Sequence, residues 1–330
     1  MSDLYPLLLK PEFRERIWGA RDLSPLYGPA PGEAPIGEVW LTGDECRVAN
    51  GALAGMSLGE LCRRYGRDLV GETAPEAERF PLLVKFLFPH DKLSVQVHPD
   101  DETARRAGLP CGKTECWYVV QAEPGAKIGL GLKVGTTREE FARAIEEVRA
   151  EQLLNWIDVR AGEMIYVDAE TVHAIGPGVI LLETQQNSDT TYRLYYYGRP
   201  RELHVQQGLA ALKEMTRAGK VRAQSTANGY WTALVNSPWF MVSKAALRDG
   251  KQLTKQPDDA PGPTSAEVLV ALDGCGVVEC DGAQPVTLAR GEAVVVPASV
   301  RRYTLRGQWN IEVLHAMVRG GNVPEPETTI

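Results

Sequence analysis

No stretch of about 18 consecutive apolar residues occurs in the 330-residue chain, so it holds no candidate for a membrane-spanning helix. It also lacks a Cys-x-x-Cys pair. The six cysteines (Cys46, Cys62, Cys111, Cys116, Cys275 and Cys280) are few and scattered, which suits reduced thiols better than a disulfide framework. Positive charge is in deficit: 36 Lys and Arg stand against 43 Asp and Glu, for a formal net charge of −7. That balance disfavours a nucleic-acid surface, and any anionic ligand must be met by locally placed basic side chains. A secretory leader is not expected either, because Lys10, Pro11 and Glu12 break the run Leu7-Leu8-Leu9. The expected setting is the cytoplasm, with no membrane partner. At 44% hydrophobic and 24% charged residues, the chain is an ordinary globular one with length for about two domains.

What is present is a succession of short apolar pieces cut by Gly and Pro. Residues 36–41 (behind Pro35), 82–88 and 115–120 read as strands. Lys85 stands amid apolar neighbours in the second of these, either as an edge residue or facing a polar cavity. Ser57 and Glu60 make a capping box for a helix that carries Leu58, Leu61, Cys62 and Tyr65 on one face and stops at Gly66. Thr137 with Glu140 caps another, whose Phe141, Ala144, Ile145 and Val148 share a side. A helical turn is expected at 100–107 and a helix at 203–215. Residues 216–229 have the Gly/Ser/Thr/Lys/Arg composition of a boundary. From Tyr230 strands resume around a Pro-rich loop at 256–263, and the last ten residues read as a free tail. Short strands with few helices predict a mostly β chain of jelly-roll or barrel type.

The segment Leu93-Ser-Val-Gln-Val-His98 alternates strictly. As a strand it puts Leu93, Val95 and Val97 on one face and Ser94, Gln96 and His98 on the other, so Gln96 and His98 can converge on one point. Glu115 and His173 complete a mixed N/O donor set that suits a borderline divalent ion, zinc first, with manganese, iron or cobalt as alternatives. His90, His204 and His315 read as packing or surface residues. An internal echo is also visible: residues 161–169 resemble 290–298, and Glu115-Cys-Trp-Tyr-Val-Val resembles Glu267-Val-Leu-Val-Ala-Leu. Extending the first alignment puts Arg302 where His173 stands, and nothing like Gln96-Val-His98 precedes Glu267. The second copy is therefore expected to lack metal ligands.

Three segments, Leu93-Ser-Val-Gln-Val-His-Pro-Asp-Asp101, Gly112-Lys-Thr-Glu-Cys-Trp-Tyr118 and Ser188-Asp-Thr-Thr-Tyr-Arg193, resemble the motifs of type I mannose-6-phosphate isomerases in their short bacterial form. The likeness runs from about Trp18 through the second repeat. It implies two cupin-type jelly-roll barrels with a few short helices: a metal-binding catalytic unit at 1–215 and a second barrel without metal ligands at 216–330. It further implies one zinc per chain, or another divalent metal, and the interconversion of mannose 6-phosphate and fructose 6-phosphate. By matched motif positions, Gln96, His98, Glu115 and His173 would hold the metal, and Lys85, Ser94, Lys113, Glu183 and Arg193 would line the pocket. Tyr196 stands where many members carry Asp.

The chemistry can be read from the residues as well. Moving a carbonyl between C1 and C2 of a sugar needs a proton shuttle and a fixed positive charge beside the two oxygens. A carboxylate or a lysine of lowered pKa can serve as the shuttle: Glu183 is taken as base with Arg193 and Lys113 assisting, but the sequence does not rank Glu183 against Lys113, which near a bound cation is expected to be pushed toward neutrality. Lys85 and Ser94 offer a point charge and a hydroxyl for phosphate, and Arg193 a fork. The partner is a small-molecule sugar phosphate. Two rivals remain at this level: a metal-dependent oxygenase, and a sugar-binding or metal-storing protein without a proton shuttle.

Overall fold

Antiparallel pairing organises the chain into three sheets, and the computed structural model describes residues 3–225, 231–256, 263–319 and 323–329. An eight-stranded sheet runs Glu12–Ala20, Ile36–Trp40, Leu82–Leu87, Val179–Gln186, Glu115–Ala122, Met164–Val167, Gly219–Val221, Thr328–Thr329 in spatial order. A five-stranded sheet runs Tyr192–Tyr195, Val95–Val97, His173–Ile175, Lys127–Leu132, Leu154–Asp158. The third has nine strands, built around Glu267–Glu279 and Tyr303–Val318, with Leu7–Leu9 joined to Ala293–Val296 at one edge. The fold is mostly β, as the short apolar runs predict. Among the described residues the α-helices number five, and none is long and apolar enough to cross a membrane.

Period-two alternation explains the layering. Along Glu115–Ala122, Trp117 and Val119 point into an apolar cluster shared with Ile128, Leu130 and Ile175 of the five-stranded sheet. Cys116 and Tyr118 point the other way, into a cluster shared with Val268, Val270, Leu314 and Ala316 of the nine-stranded sheet. The eight-stranded sheet is thus a middle layer buried on both faces, which is why its central strands read as continuous apolar runs. Helix Arg138–Glu146 lays Phe141 and Ile145 on the far face of the five-stranded sheet, against Val95, Val97 and Ala174.

The two copies of the echo share a register. Glu115 pairs with Val167 and Glu267 with Val296, and Val167 and Val296 are corresponding residues. Their company differs. Glu267 forms an ion pair with Lys255 and accepts hydrogen bonds from Tyr303 Oη and His315 Nε2, both at 2.8 Å.

Local signals hold in some places and yield in others. Ser57 and Glu60 form the reciprocal capping box of Leu58–Tyr65, which ends at Gly66, and Asp100 caps Asp101–Arg106. Thr137 caps Arg138–Glu146, but that helix ends before Val148, which takes φ 58° and is exposed rather than sharing the apolar side. The helix expected over 203–215 spans only Val205–Ala211, since His204 offers no side-chain cap and Leu212 is already extended. Leu93 does not join Val95 and Val97: the strand begins at Val95, and Leu93 packs with Trp18 and Leu87. Nor is the 216–229 stretch simply a linker, because Gly219–Val221 pairs with both Met164–Val167 and Thr328–Thr329, tying down part of the tail. A cut between 215 and 216 therefore does not separate the sheets. Residues 226–230, 257–262, 320–322 and 330 lie outside the described residues, and with them most of the Pro-rich loop and the first of the resumed strand positions.

Candidate active site

On three adjacent strands of the middle sheet, the row facing the five-stranded sheet changes from apolar to ionisable toward one end. Leu87 gives way to Lys85, Leu181 to Glu183, and Val119 through Trp117 to Glu115. Register brings these ends together, with Glu183 opposite Lys85 on one side and Trp117 on the other, and Gln185 opposite Glu115. The facing sheet supplies Gln96, opposite both His173 and Arg193. Together they surround a cavity of about 370 Å³. Lys85 is no edge residue, since its strand lies between Ile36–Trp40 and Val179–Gln186 and the side chain is buried.

His98, Glu115 and His173 are all buried, and their donor atoms lie within 4.8 Å of one another. Each imidazole is oriented from behind. His98 Nδ1 donates to Thr190 O at 2.8 Å and His173 Nδ1 to Thr171 O at 3.0 Å. A carbonyl can only accept, so both Nε2 atoms are left unprotonated, as acceptors turned inward, the arrangement that holds histidines on a metal. Burial keeps them in that form: it lowers His173 to about 4 and His98 well below the usual imidazole range, and Lys113 adds to both shifts. The cluster already attracts a cation, for Lys113 Nζ lies 3.0 Å from His98 Nε2 and 2.8 Å from Glu115 Oε2. On donor chemistry and orientation, these residues fit a divalent metal. Gln96 reaches the same point with its amide nitrogen, 3.1 Å from His173 Nε2, while its Oε1 accepts from Ser94 Oγ at 2.8 Å. Half a turn of that amide offers the oxygen to the site and the nitrogen to Ser94, whose hydroxyl accepts as readily as it donates.

Glu183 sits between the lysines, Oε2 3.7 Å from Lys85 Nζ and Oε1 3.5 Å from Lys113 Nζ. Burial pushes its carboxyl up to about 7 despite the pull of Lys85 and Lys113, and Glu115 adds to the rise. Lys113 answers to its carboxylate neighbours. Burial favours its neutral form, but Glu115 and Glu183 outweigh that and raise its pKa, so the lysine stays charged in this arrangement. Arg193 lies at the mouth with its guanidinium 5.5 Å from the Tyr196 ring, and its Nε makes no hydrogen bond. Burial and then the neighbouring Arg201 lower its pKa.

With this geometry in place, likeness to known proteins becomes informative. Residues 7–122 match the family model described as phosphomannose isomerase type I, catalytic domain. The mannose-6-phosphate isomerase ManA of Bacillus subtilis (strain 168) is 34% identical over 323 residues, covering 94% of this chain and 98% of that protein. This chain belongs to the type I phosphomannose isomerase family. The mannose-6-phosphate isomerase of Streptococcus mutans serotype c is also 34% identical, with 94% and 98% covered. The crystal structure of the mannose 6-phosphate isomerase from B. subtilis matches with a TM-score of 0.82 at 30% identity, over 94% of this chain and 99% of that one. A putative mannosephosphate isomerase from Archaeoglobus fulgidus, 20% identical with a TM-score of 0.74 over 95% and 97% of the two chains, shares the fold.

The cavity also contains residues that motif matching does not single out. Glu38 accepts a two-pronged pair from Arg16 (Nε to Oε1 and Nη2 to Oε2, each 3.1 Å) and the indole N–H of Trp40 at 2.7 Å, with Lys85 Nζ at 4.0 Å. Burial works against the Glu38 carboxylate, but Lys85 and Arg16 more than cancel this and hold its pKa near 2. The sequence does carry a signal for Glu38: like Lys85, it is a charge inside an apolar strand. Tyr196 is buried at the cavity wall, its ring 4.2 Å from the Arg199 guanidinium. Of the remaining histidines, His90 is exposed, His204 half-buried and His315 bound to Glu267.

Proposed function

We propose that this chain interconverts mannose 6-phosphate and fructose 6-phosphate with one divalent metal, zinc first, held by Gln96, His98, Glu115 and His173. The observation that carries this reading is the buried Glu183 carboxylate, 3.5 Å from Lys113 Nζ, which in turn lies 3.0 Å from His98 Nε2 and 2.8 Å from Glu115 Oε2 of a convergent His-Glu-His set. Bound there, a metal would supply fixed positive charge for the oxyanion that develops on the sugar. While the proton of O2 passes to O1 with Lys113 assisting the transfer, Glu183 takes the proton from C2 of the aldose and returns it to C1 through an enediolate. Its raised pKa suits a group that must both accept and release a proton near neutrality. Lys113 and Arg193 meet charge that develops on the sugar oxygens. Lys85 and Ser94 meet the phosphate, a pairing supported by a net negative chain that gathers Lys85, Arg193 and Arg16 around this cavity.

In the same reading, the cavity belongs to a catalytic cupin barrel, and the nine-stranded sheet forms a second cupin-type barrel without metal ligands. Support for the latter is Glu267, the counterpart of Glu115, whose oxygens are taken up by Lys255, Tyr303 and His315. The six free cysteines support a reducing, cytoplasmic setting.

Fructose 6-phosphate formation from mannose 6-phosphate, measured before and after chelation and zinc restoration, tests the proposal. Activity should vanish on chelation and return with metal. A folded, zinc-loaded protein that stays inert refutes it.

A further inference from the structure

Lys113 is positioned by its backbone, and that backbone is held at three consecutive amides. Lys113 N donates to Pro99 O at 2.9 Å. The residues on either side are held by side chains: Gly112 N donates to Asp101 Oδ1 at 2.8 Å, and Thr114 N to Gln186 Oε1 at 2.9 Å. Those two side chains are themselves joined, since Gln186 Nε2 donates to Asp101 Oδ1 at 2.9 Å. Gly112 is required for the close approach, because a Cβ there would lie 2.6 Å from the Asp100 carbonyl carbon and the Asp101 nitrogen. The other oxygen, Asp101 Oδ2, accepts the indole N–H of Trp239 at 2.9 Å, from the turn just before Phe240–Leu247 in the nine-stranded sheet. Asp101 thus accepts three hydrogen bonds from uncharged donors, and they tie together the helix start, the Lys113 loop, the Val179–Gln186 strand and the nine-stranded sheet.

We infer that Asp101 is a positioning residue for Lys113, and that Trp239 makes the nine-stranded sheet part of that support. The inference rests on the reading in which Lys113 acts at the sugar oxygens. Its ammonium lies between His98 Nε2 at 3.0 Å and Glu115 Oε2 at 2.8 Å. A misplacement of about 1 Å in a group that acts on the substrate costs on the order of 10²-fold in rate. Lys113 follows the loop after Asp101–Arg106 and precedes the strand Glu115–Ala122. Without the Asp101 carboxylate, Gly112 N loses its acceptor and Gln186 loses the group that orients it toward Thr114. The lysine would keep its ion pairs but lose a single fixed origin for its side chain.

The test uses the full-length, metal-loaded enzyme and the variants Asp101→Ala, Asp101→Asn and Trp239→Phe. For each, kcat and KM for mannose 6-phosphate, bound metal per chain, unfolding midpoint and amide exchange at 112 and 114 are measured. Asp101→Ala should lower kcat by about 10- to 100-fold, the usual cost of losing an outer partner of a catalytic centre. Metal should stay stoichiometric, KM should move by less than about threefold, and exchange at Gly112 and Thr114 should accelerate. Asp101→Asn keeps an oxygen for Gly112 and Gln186 but turns its NH2 toward the Trp239 indole N–H, a donor against a donor, so it should recover only the share of the rate that does not depend on Trp239 and fall near Trp239→Phe. Trp239→Phe should lower kcat on its own and add nothing in the Asp101→Ala background, where the acceptor of its indole N–H is already gone. Wild-type kcat in folded Asp101→Ala overturns the inference, as does a rate loss fully matched by metal loss with exchange at 112 and 114 unchanged. Should Asp101→Ala fail to fold, Asp101→Asn and Trp239→Phe decide by the same readouts. A wild-type enzyme inert on mannose 6-phosphate would instead strike down the isomerase reading; the exchange measurement then decides whether Asp101 holds the loop.

Discussion

Replacing Glu38 with Gln removes one charge and little else, and the structure sets the size of the effect. The carboxylate is 9% exposed and held by Arg16, Trp40 and Lys85, and its pKa falls from the usual 4.5 to about 2. At about 1.4 kcal/mol per pH unit, the ionised form contributes about 3 kcal/mol to folding at neutral pH. The sign follows from the depressed pKa. The contribution is complete above the unfolded value near 4.5, declines as the pH falls, and is gone once the pH passes below the folded value near 2. Urea unfolding of wild type and Glu38→Gln, followed from pH 7 to pH 3, is the assay. The variant should be less stable by about 3 kcal/mol at pH 7, the range found when one partner of a buried pair is removed, and by no more than about half of that at pH 3. Equal stability at pH 7, or a gap that does not change with pH, would refute the reasoning. KM should also rise, because Lys85 loses one of the two carboxylates that hold it.

If Glu183 acts as its anion with a pKa near 7, turnover should climb about tenfold between pH 6 and pH 8. Glu183→Gln should be slow and flat over that range, and a flat wild-type profile would count against Glu183 as the base. Lys85→Ala should raise KM for the phosphorylated sugar by about tenfold or more, the scale of a lost charge-assisted hydrogen bond; an unchanged KM removes Lys85 from the phosphate site.

Much of this was legible wherever local chemistry and tertiary context agree. The Ser57 box and the Thr137 cap carry their partners three residues away, so the helices they start are written in the sequence. The Gln96-x-His98 spacing, with Glu115 and His173, is likewise legible, because strand alternation and the facing register both follow from the side-chain period. The setting of Lys113 was not legible. Its protonation depends on Glu115 and Glu183 together, and Glu183 lies seventy residues along the chain. Glu38 and Arg16 were missed because their meaning lies in a pairing with Lys85 across neighbouring strands. The linker at 216–229 misled for a related reason: composition reports what a strand such as Gly219–Val221 is made of, not which edge stands ready to receive it.

The edge strand Leu7–Leu9 has a consequence in time. Its pairing partner is Ala293–Val296, and Leu7 sits beside Val295, about 290 residues further along. At roughly 5 to 20 residues per second on a ribosome, that partner emerges about 15 to 60 s after the leucines do. Until then the strand lacks this ladder partner, although Leu9 can already bridge to Val48 and Leu7 and Leu9 can pack with Leu53 and Leu58. Leu8 is different, because the cluster that covers it is drawn wholly from residues 231–313. A nascent chain arrested before residue 293 should leave Leu8 bare to whatever chaperone stands at the exit.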